Sequence, residues 1–288
     1  MSLSVRTPAV AGSFYEADPA RLRLTVDRLL AGMPRRTPRP AGAWRALLLP
    51  HAGHVYSGGI AAAGVASVEW PKTVLLLGPN HRGIGSSAAL APEDVWRTPL
   101  GDVPRAAALA KDLLDLCPAL EEDDMAHRFE HSLEVIVPFL QAATPGLSIA
   151  CVSIGEPDPA LCLSVGEAVA GAVQRAEARG ETVALVVSSD LNHYLPRERN
   201  RAKDDQALAA LRGGDPRTFF TTIHAKEQIS MCGVLPATAL LRALQILGSA
   251  PAAVVAQGDS GDAFGDLTRV VGYAAVLWGK PAPGRPDA

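Results

Sequence analysis

A chain of 288 residues, 48% hydrophobic and 20% charged, can bury a large core as one big α/β domain or as two smaller ones, and no linker stands out to divide it. A formal net charge of -3 with scattered arginines leaves no basic stripe for a phosphate backbone, which argues against nucleic acid as a partner. No apolar run reaches the roughly 20 residues needed to cross a bilayer, and MSLSVRTPAVAGSFYEADP lacks a charged region followed by an apolar one, so a cytoplasmic protein without a membrane partner is expected.

In chain order, an N-terminal arm leads to an amphipathic helix predicted over Pro19–Met33 and an exposed Pro/Arg-rich loop over Pro34–Pro40. A strand at Arg45–Leu49 ends at His51, a small-residue helix follows over Gly58–Val68, and a second strand covers Thr73–Leu77. Further helices are expected at Arg105–Leu116, His131–Ala143, Pro159–Arg179, Asn200–Leu211, Pro216–Ala225 and Leu235–Leu247. Further strands are expected at Ser148–Ile154, Thr182–Val187, Ala252–Gln257 and Arg269–Leu277. Strands separated by helices of this length imply a single α/β domain with a central, mainly parallel or mixed sheet flanked by helices. Gly279–Ala288, rich in Pro and Gly, reads as a flexible tail.

Four apolar stretches run straight into chemically useful residues: RALLLP into His51, TVLLLGPN into His81, TVALVVSS into Asp190 and His193, and KEQISM into Cys232. In open α/β sheets ligands gather beyond the carboxyl ends of the strands, so these side chains are expected in one crevice. Gly53, Gly78 and Gly83 would allow the sharp turns that aim the histidines. Two imidazoles and a thiol form an open set of metal ligands with room for water or substrate, suited to iron, copper or zinc. Asp190 reads as an orienting acceptor and His193 as an acid or base. Cys117, Cys151, Cys162 and Cys232 stand far apart with no Cys-x-x-Cys pair, which argues against a disulfide framework or a zinc ribbon.

Two other chemistries compete. Ser188–His193 contains Ser, Asp and His, but nearly adjacent and without a Gly-x-Ser-x-Gly elbow, so a serine hydrolase is disfavoured. His127–His131 matches His-x-x-Glu-His, in which both histidines on one helix face would hold zinc and Glu130 would act as base. The plainer reading is that Glu130 and His131 open the amphipathic helix HSLEVIVPFLQ, with Pro138 kinking it or relaxing its start.

The ordered motifs AVAGSFY, PHAGHVYSG, GPNHRG, TPLG, AHRFEHSLEV, SSDLNHY, Cys232-Gly233 and VGYAA resemble the Memo family over nearly the whole chain, implying a Memo-like domain over residues 1–278. Bacterial members are called AmmeMemoRadiSam system protein B. The family is similar in fold to class III, LigB-type extradiol dioxygenases. That resemblance places His51 and His81 on the two histidine ligands of a non-haem iron, Cys232 where the dioxygenases have a carboxylate, and His193 on their catalytic histidine. A thiolate in that position puts catechol cleavage in doubt. His54, where the family usually has Tyr, would make the pocket wall more polar and could add a nitrogen ligand.

The resemblance implies iron or copper binding and redox activity on a small molecule. The alternative is an inactive module that holds a peptide or protein in the old cleft, within a system that includes a radical-SAM protein. A phosphopeptide site would want an arginine cluster, and only Arg82 and Arg97 are visible candidates.

Overall fold

A computed structural model describes residues 3–33, 38–226 and 228–280. The first part of the chain forms β1 (Val5–Arg6), α1 (Pro19–Ala31), β2 (Trp44–Leu49), α2 (His54–Ala66), β3 (Thr73–Pro79), β4 (Ala88–Leu90), β5 (Val95–Thr98) and β6 (Gly101–Pro104). The middle forms α3 (Ala107–Leu116), β7 (Glu121–Glu122), α4 (Met125–Arg128), α5 (Val137–Ala143), β8 (Ser148–Ile154), α6 (Pro159–Ala178), β9 (Val183–Ser188) and β10 (His193–Leu195). The last part forms α7 (Arg197–Gly213), α8 (Pro216–Phe220), a π-helical turn (Thr221–Lys226), α9 (Val234–Leu247), β11 (Ala253–Asp259), α10 (Gly261–Phe264) and β12 (Val270–Gly279).

The main sheet runs β10-β12-β2-β9-β3-β8-β4-β7, with β11 added on β12. Its centre, β2-β9-β3-β8, is parallel, whereas β12, β11, β10 and β4 add antiparallel pairings, so the sheet is mixed. Successive strand residues face opposite sides. Leu48, Leu75, Val152 and Val187 join the layer under α3, α6 and α9, while Leu47, Leu76, Cys151 and Val186 join the layer under α1, α2 and α5. Because both faces are covered, these strands read in sequence as unbroken apolar runs. No helix among the described residues is long and apolar enough to cross a membrane.

Local chemistry explains where the elements depart from expectation. Helix α2 begins at His54, four residues before the predicted start, and its small residues let it lie close to the sheet: a Cβ on Gly64 would meet the side chains of Leu49 and Ala275. The continuous helix expected over His131–Ala143 does not form. Pro138 lacks the N–H a helix interior needs and would clash with the preceding turn, so residues 132–136 form turns and α5 begins only at Val137. The expected helix Pro216–Ala225 stops at Phe220 and continues as the π-helical turn. Residues 228–231, expected to behave like the other apolar runs, form no strand. Gly279 closes β12 rather than opening a tail, and 281–288 lie outside the described residues, as do residues 34–37 of the loop predicted over Pro34–Pro40.

Candidate metal centre

The parallel strands aim three polar residues at one crevice. His51, His81 and Asp190 each stand two residues beyond the end of β2, β3 and β9, at the carboxyl edge where an open α/β sheet collects ligands. Cys232 and His193 arrive by other routes, and here the expectation of equivalent strand ends fails. Cys232 lies in the turn before α9, where only glycine at 233 fits against Ser189, since a Cβ there would lie 2.6 Å from Ser189 Oγ. His193 opens β10, paired antiparallel to Val271 of β12. Gly78 lies inside β3 and makes no turn. Its bare Cα leaves room for Leu133 and Ser132.

His51, His81 and Cys232 offer donor atoms that all lie within 4.8 Å of one another. Cys232 Sγ is 3.3 Å from His51 Nε2. Hydrogen bonds on the far side of each imidazole set its tautomer. Ser188 Oγ donates its only proton to the Ser132 carbonyl (2.6 Å), so at 2.6 Å it accepts from His51 Nδ1–H and leaves Nε2 as a lone pair facing the thiol. His81 Nδ1 lies 2.9 Å from Glu130 Oε1. Burial opposes charge on Glu130, but the hydrogen bond from His81 and the nearby histidines and Ser132 N–H outweigh it and lower its pKa to about 2. The carboxylate is therefore acceptor-only, so His81 donates Nδ1–H to it and Nε2 is the nitrogen left to serve as a ligand. Burial, reinforced by His131 and His81, keeps His51 neutral by pushing its pKa well below the usual value. The thiol is pushed up by burial and by the charge of Asp190, so it holds its proton until something displaces it. Two imidazoles held outside the group through Nδ1, together with one buried thiol, fit the donor set of a transition metal.

Glu130, His81 and His131 form a second close group. Its carboxylate is already committed: Oε2 accepts from His81 N (2.6 Å), and Oε1 accepts from His81 Nδ1 and from His131 N and Ser132 N (2.9 Å each). A metal there would have to break those bonds, so the group reads as the support of His81. The sequence reading missed Glu130, Ser188 and Ser132 as supports, and His131 as a wall of the cleft. Its one signal was HRFEH, which pointed to the wrong chemistry. His127 is buried, its Nε2 is 3.1 Å from the Ala89 carbonyl, and α4 ends at Arg128, so His127 and His131 share no helix face. The zinc-protease reading falls with that geometry.

Asp190 is buried, and burial raises its pKa to about 6 even though Oδ1 accepts from His51 N (2.8 Å) and Ala52 N (3.3 Å). It thereby holds the backbone that carries His51. His193 has its N–H on Ser230 Oγ (2.8 Å) and its Nδ1 2.7 Å from the Ser230 carbonyl, so Nδ1 donates and Nε2 is free. Ser230 N and Oγ in turn donate to Asn192 Oδ1 (3.1 Å each), and Asn192 is bound to Asn200 and Asp204. Ser189 Oγ donates to its neighbour's carbonyl at 2.6 Å rather than to a histidine, so no Ser-His-Asp triad exists here.

His54 does not reach the cleft. It packs between Tyr15 and Phe139, and its Nε2 is 2.9 Å from the Val135 carbonyl, so it neither roughens the pocket wall nor adds a ligand. The cleft itself has a volume of about 700 Å³ and is walled by His51, His81, His131, Asp190 and His193 within and by Tyr56, Phe264 and Arg269 at its mouth. Arg97 is engaged by Asp102 and Arg82 by the Phe129 carbonyl, and neither lines it.

A mixed α/β sheet whose carboxyl edge carries two histidines and a cysteine in ligand proximity defines an α/β protein with a metal-centre-like cleft. The chain belongs to the Memo family: the family described as Memo-like protein matches residues 6–277. It is 35% identical to a MEMO1 family protein of Sulfolobus acidocaldarius, covering 96% of this chain and 99% of the relative. A MEMO1 family protein of Aeropyrum pernix is 39% identical over 95% of this chain and 99% of its own length, and one of Aquifex aeolicus is 34% identical over 96% and 100%.

Proposed function

We propose that the protein binds one transition-metal ion through His51, His81 and Cys232 and uses the centre for redox chemistry on a small molecule in the cleft. The supporting observation is the convergence of the three donors within 4.8 Å, with His51 and His81 each held through Nδ1 by a partner outside the group. Iron or copper would supply one-electron chemistry there, and zinc would supply only polarisation. A peptide-holding module needs no thiol buried among imidazoles, which favours the metal reading over an inactive partner of a radical-SAM system. Protein purified without oxygen and without an affinity-tag metal should carry about one equivalent of metal per chain by elemental analysis. Purified protein that takes up no iron, copper or zinc would remove the proposal.

Metal binding should release a proton. A thiol held protonated by burial and by Asp190 must give up its hydrogen to become a ligand, whereas His51 is already neutral and Glu130 already charged. Apparent affinity should therefore rise about tenfold per pH unit between about pH 7 and about pH 9. A competition titration against a chelator of known pH dependence reads the slope, and a flat profile would exclude Cys232 as a ligand.

The free Nε2 of His193 suits it to move a proton to or from a bound molecule. His193→Ala should leave metal content intact while lowering metal-dependent turnover, read as oxygen consumption with an added reductant, by about 10²–10⁴-fold. Asp190→Asn should act more mildly, because an amide oxygen can still accept from His51 N. Loss of metal in the His193 variant would make it a ligand instead.

A further inference from the structure

The geometry points to a carboxylate-binding subsite at the cleft mouth: we propose that Arg269, set against Tyr194, receives the carboxylate of a small substrate whose apolar or aromatic body lies along Phe264 and Tyr56. This inference rests on the reading of the cleft as a substrate site, and three observations beyond the metal donors support it.

The first is charge. Arg269 is the one lysine or arginine among the described residues that line the cleft, and it lies within ion-pair distance of no described carboxylate. Elsewhere on the surface Arg97 is paired with Asp102, and Arg197 with Asp259 and Asp262. Asp266 shares the same wall, but its Oδ1 accepts from Thr268 N (2.9 Å) and Thr268 Oγ1 (2.7 Å), which turns it into its own loop.

The second is how the arginine is held. Its guanidinium carbon lies 5.4 Å from the centre of the Tyr194 ring, a cation–π arrangement that orients the group while leaving its N–H donors unspent. Tyr194 has φ +64°, a left-handed conformation unusual for an aromatic residue, at the point where the pairing of β10 with β12 slips. On its N-terminal side His193 N is fixed on Ser230 Oγ. The strained residue sets its ring beside both His193 (5.6 Å between centres) and Arg269.

The third is an aromatic pair lining the same cleft. Tyr56 and Phe264 pack 5.3 Å apart at the mouth while remaining 44% and 66% exposed, an apolar pair that a flat ligand body would cover. One guanidinium matches one carboxylate through a bidentate contact, whereas a phosphate dianion would call for a cluster of cations that the cleft lacks.

Titration calorimetry of the protein as purified, with metal content measured on the same samples, tests the subsite with three probes: phenylacetate, its neutral analogue phenylacetamide, and phenyl phosphate. Phenylacetate should bind at least about tenfold more tightly than phenylacetamide, and Arg269→Gln should erase that difference without changing metal content. Arg269→Lys should recover part of it, as a charge without the planar fork. Equal binding of acid and amide to the unaltered protein, no detectable binding of either, or an unchanged preference in Arg269→Gln would overturn the subsite. Tighter binding of phenyl phosphate than of phenylacetate would overturn the carboxylate assignment. Absence of metal alongside an intact acid preference would sink the metal centre alone, and the converse result would sink only the subsite.

Discussion

Alanine at His51, His81 or Cys232 should strip the protein of its metal, while alanine at His127 should leave occupancy unchanged. The three donors lie within 4.8 Å of one another, so each variant removes a ligand that no nearby side chain can replace without moving, and a two-ligand remnant should hold metal far more weakly. His127 donates its ring N–H to Ala89 in the core and belongs to no ligand group among the described residues. The supports should give a graded response. Glu130→Gln leaves His81 with a weaker, neutral partner and should reduce affinity by about 10–100-fold, the range typical of groups that orient a ligating histidine. Elemental analysis and chelator competition on the purified variants decide the matter. Full occupancy in Cys232→Ala together with its loss in His131→Ala would transfer the site to His81, Glu130 and His131.

How much of this was legible in the chain follows from where each residue's partners lie. His51 and His81 could be read because strands buried on both faces appear as plain apolar runs, and a polar residue just beyond such a run has few places to go. The supports could not. Ser188 meets His51 and Ser132 across 137 and 56 residues of chain, and no local pattern encodes such contacts. Glu130 looked like the start of a helix because HSLEV has helical spacing, and only the turn forced by Pro138 frees its carboxylate to face His81. Strands of two to four residues such as β4, β7 and β10 are too short for a period of two to show, which is why they were not read while the longer β11 and β12 were. His54 is the reverse case. Its motif placed it beside a ligand, but its position in the first turn of α2 points it between Tyr15 and Phe139.

The largest loss of stability outside the sheet should come from Glu134→Ala, at about 3–5 kcal/mol, because it leaves a buried guanidinium without its countercharge. Arg6 and Glu134 are 3% and 1% exposed and form a buried ion pair. The same carboxylate accepts from Ala9 N (2.8 Å), Val10 N (3.0 Å) and the Tyr15 hydroxyl (2.6 Å), so a single side chain fastens the whole N-terminal arm. Those backbone groups would lose their acceptor inside the protein unless the arm peeled away and rehydrated, and peeling would expose Val10 and Tyr15, which belong to the core. The cleft would feel the change, since the Phe14 carbonyl caps His54 N at 2.8 Å and the Phe14 ring packs 4.8 Å from His131. Urea denaturation should show a lower midpoint with an otherwise cooperative transition, a large effect against total stabilities of about 5–15 kcal/mol. Pairing the change with Arg6→Met should recover much of the loss, because it removes the orphaned charge itself. If Glu134→Ala costs less than about 1 kcal/mol, or if the double variant is worse than the single one by the full value of a second core truncation, the arm is held by its apolar contacts and not by the buried ion pair.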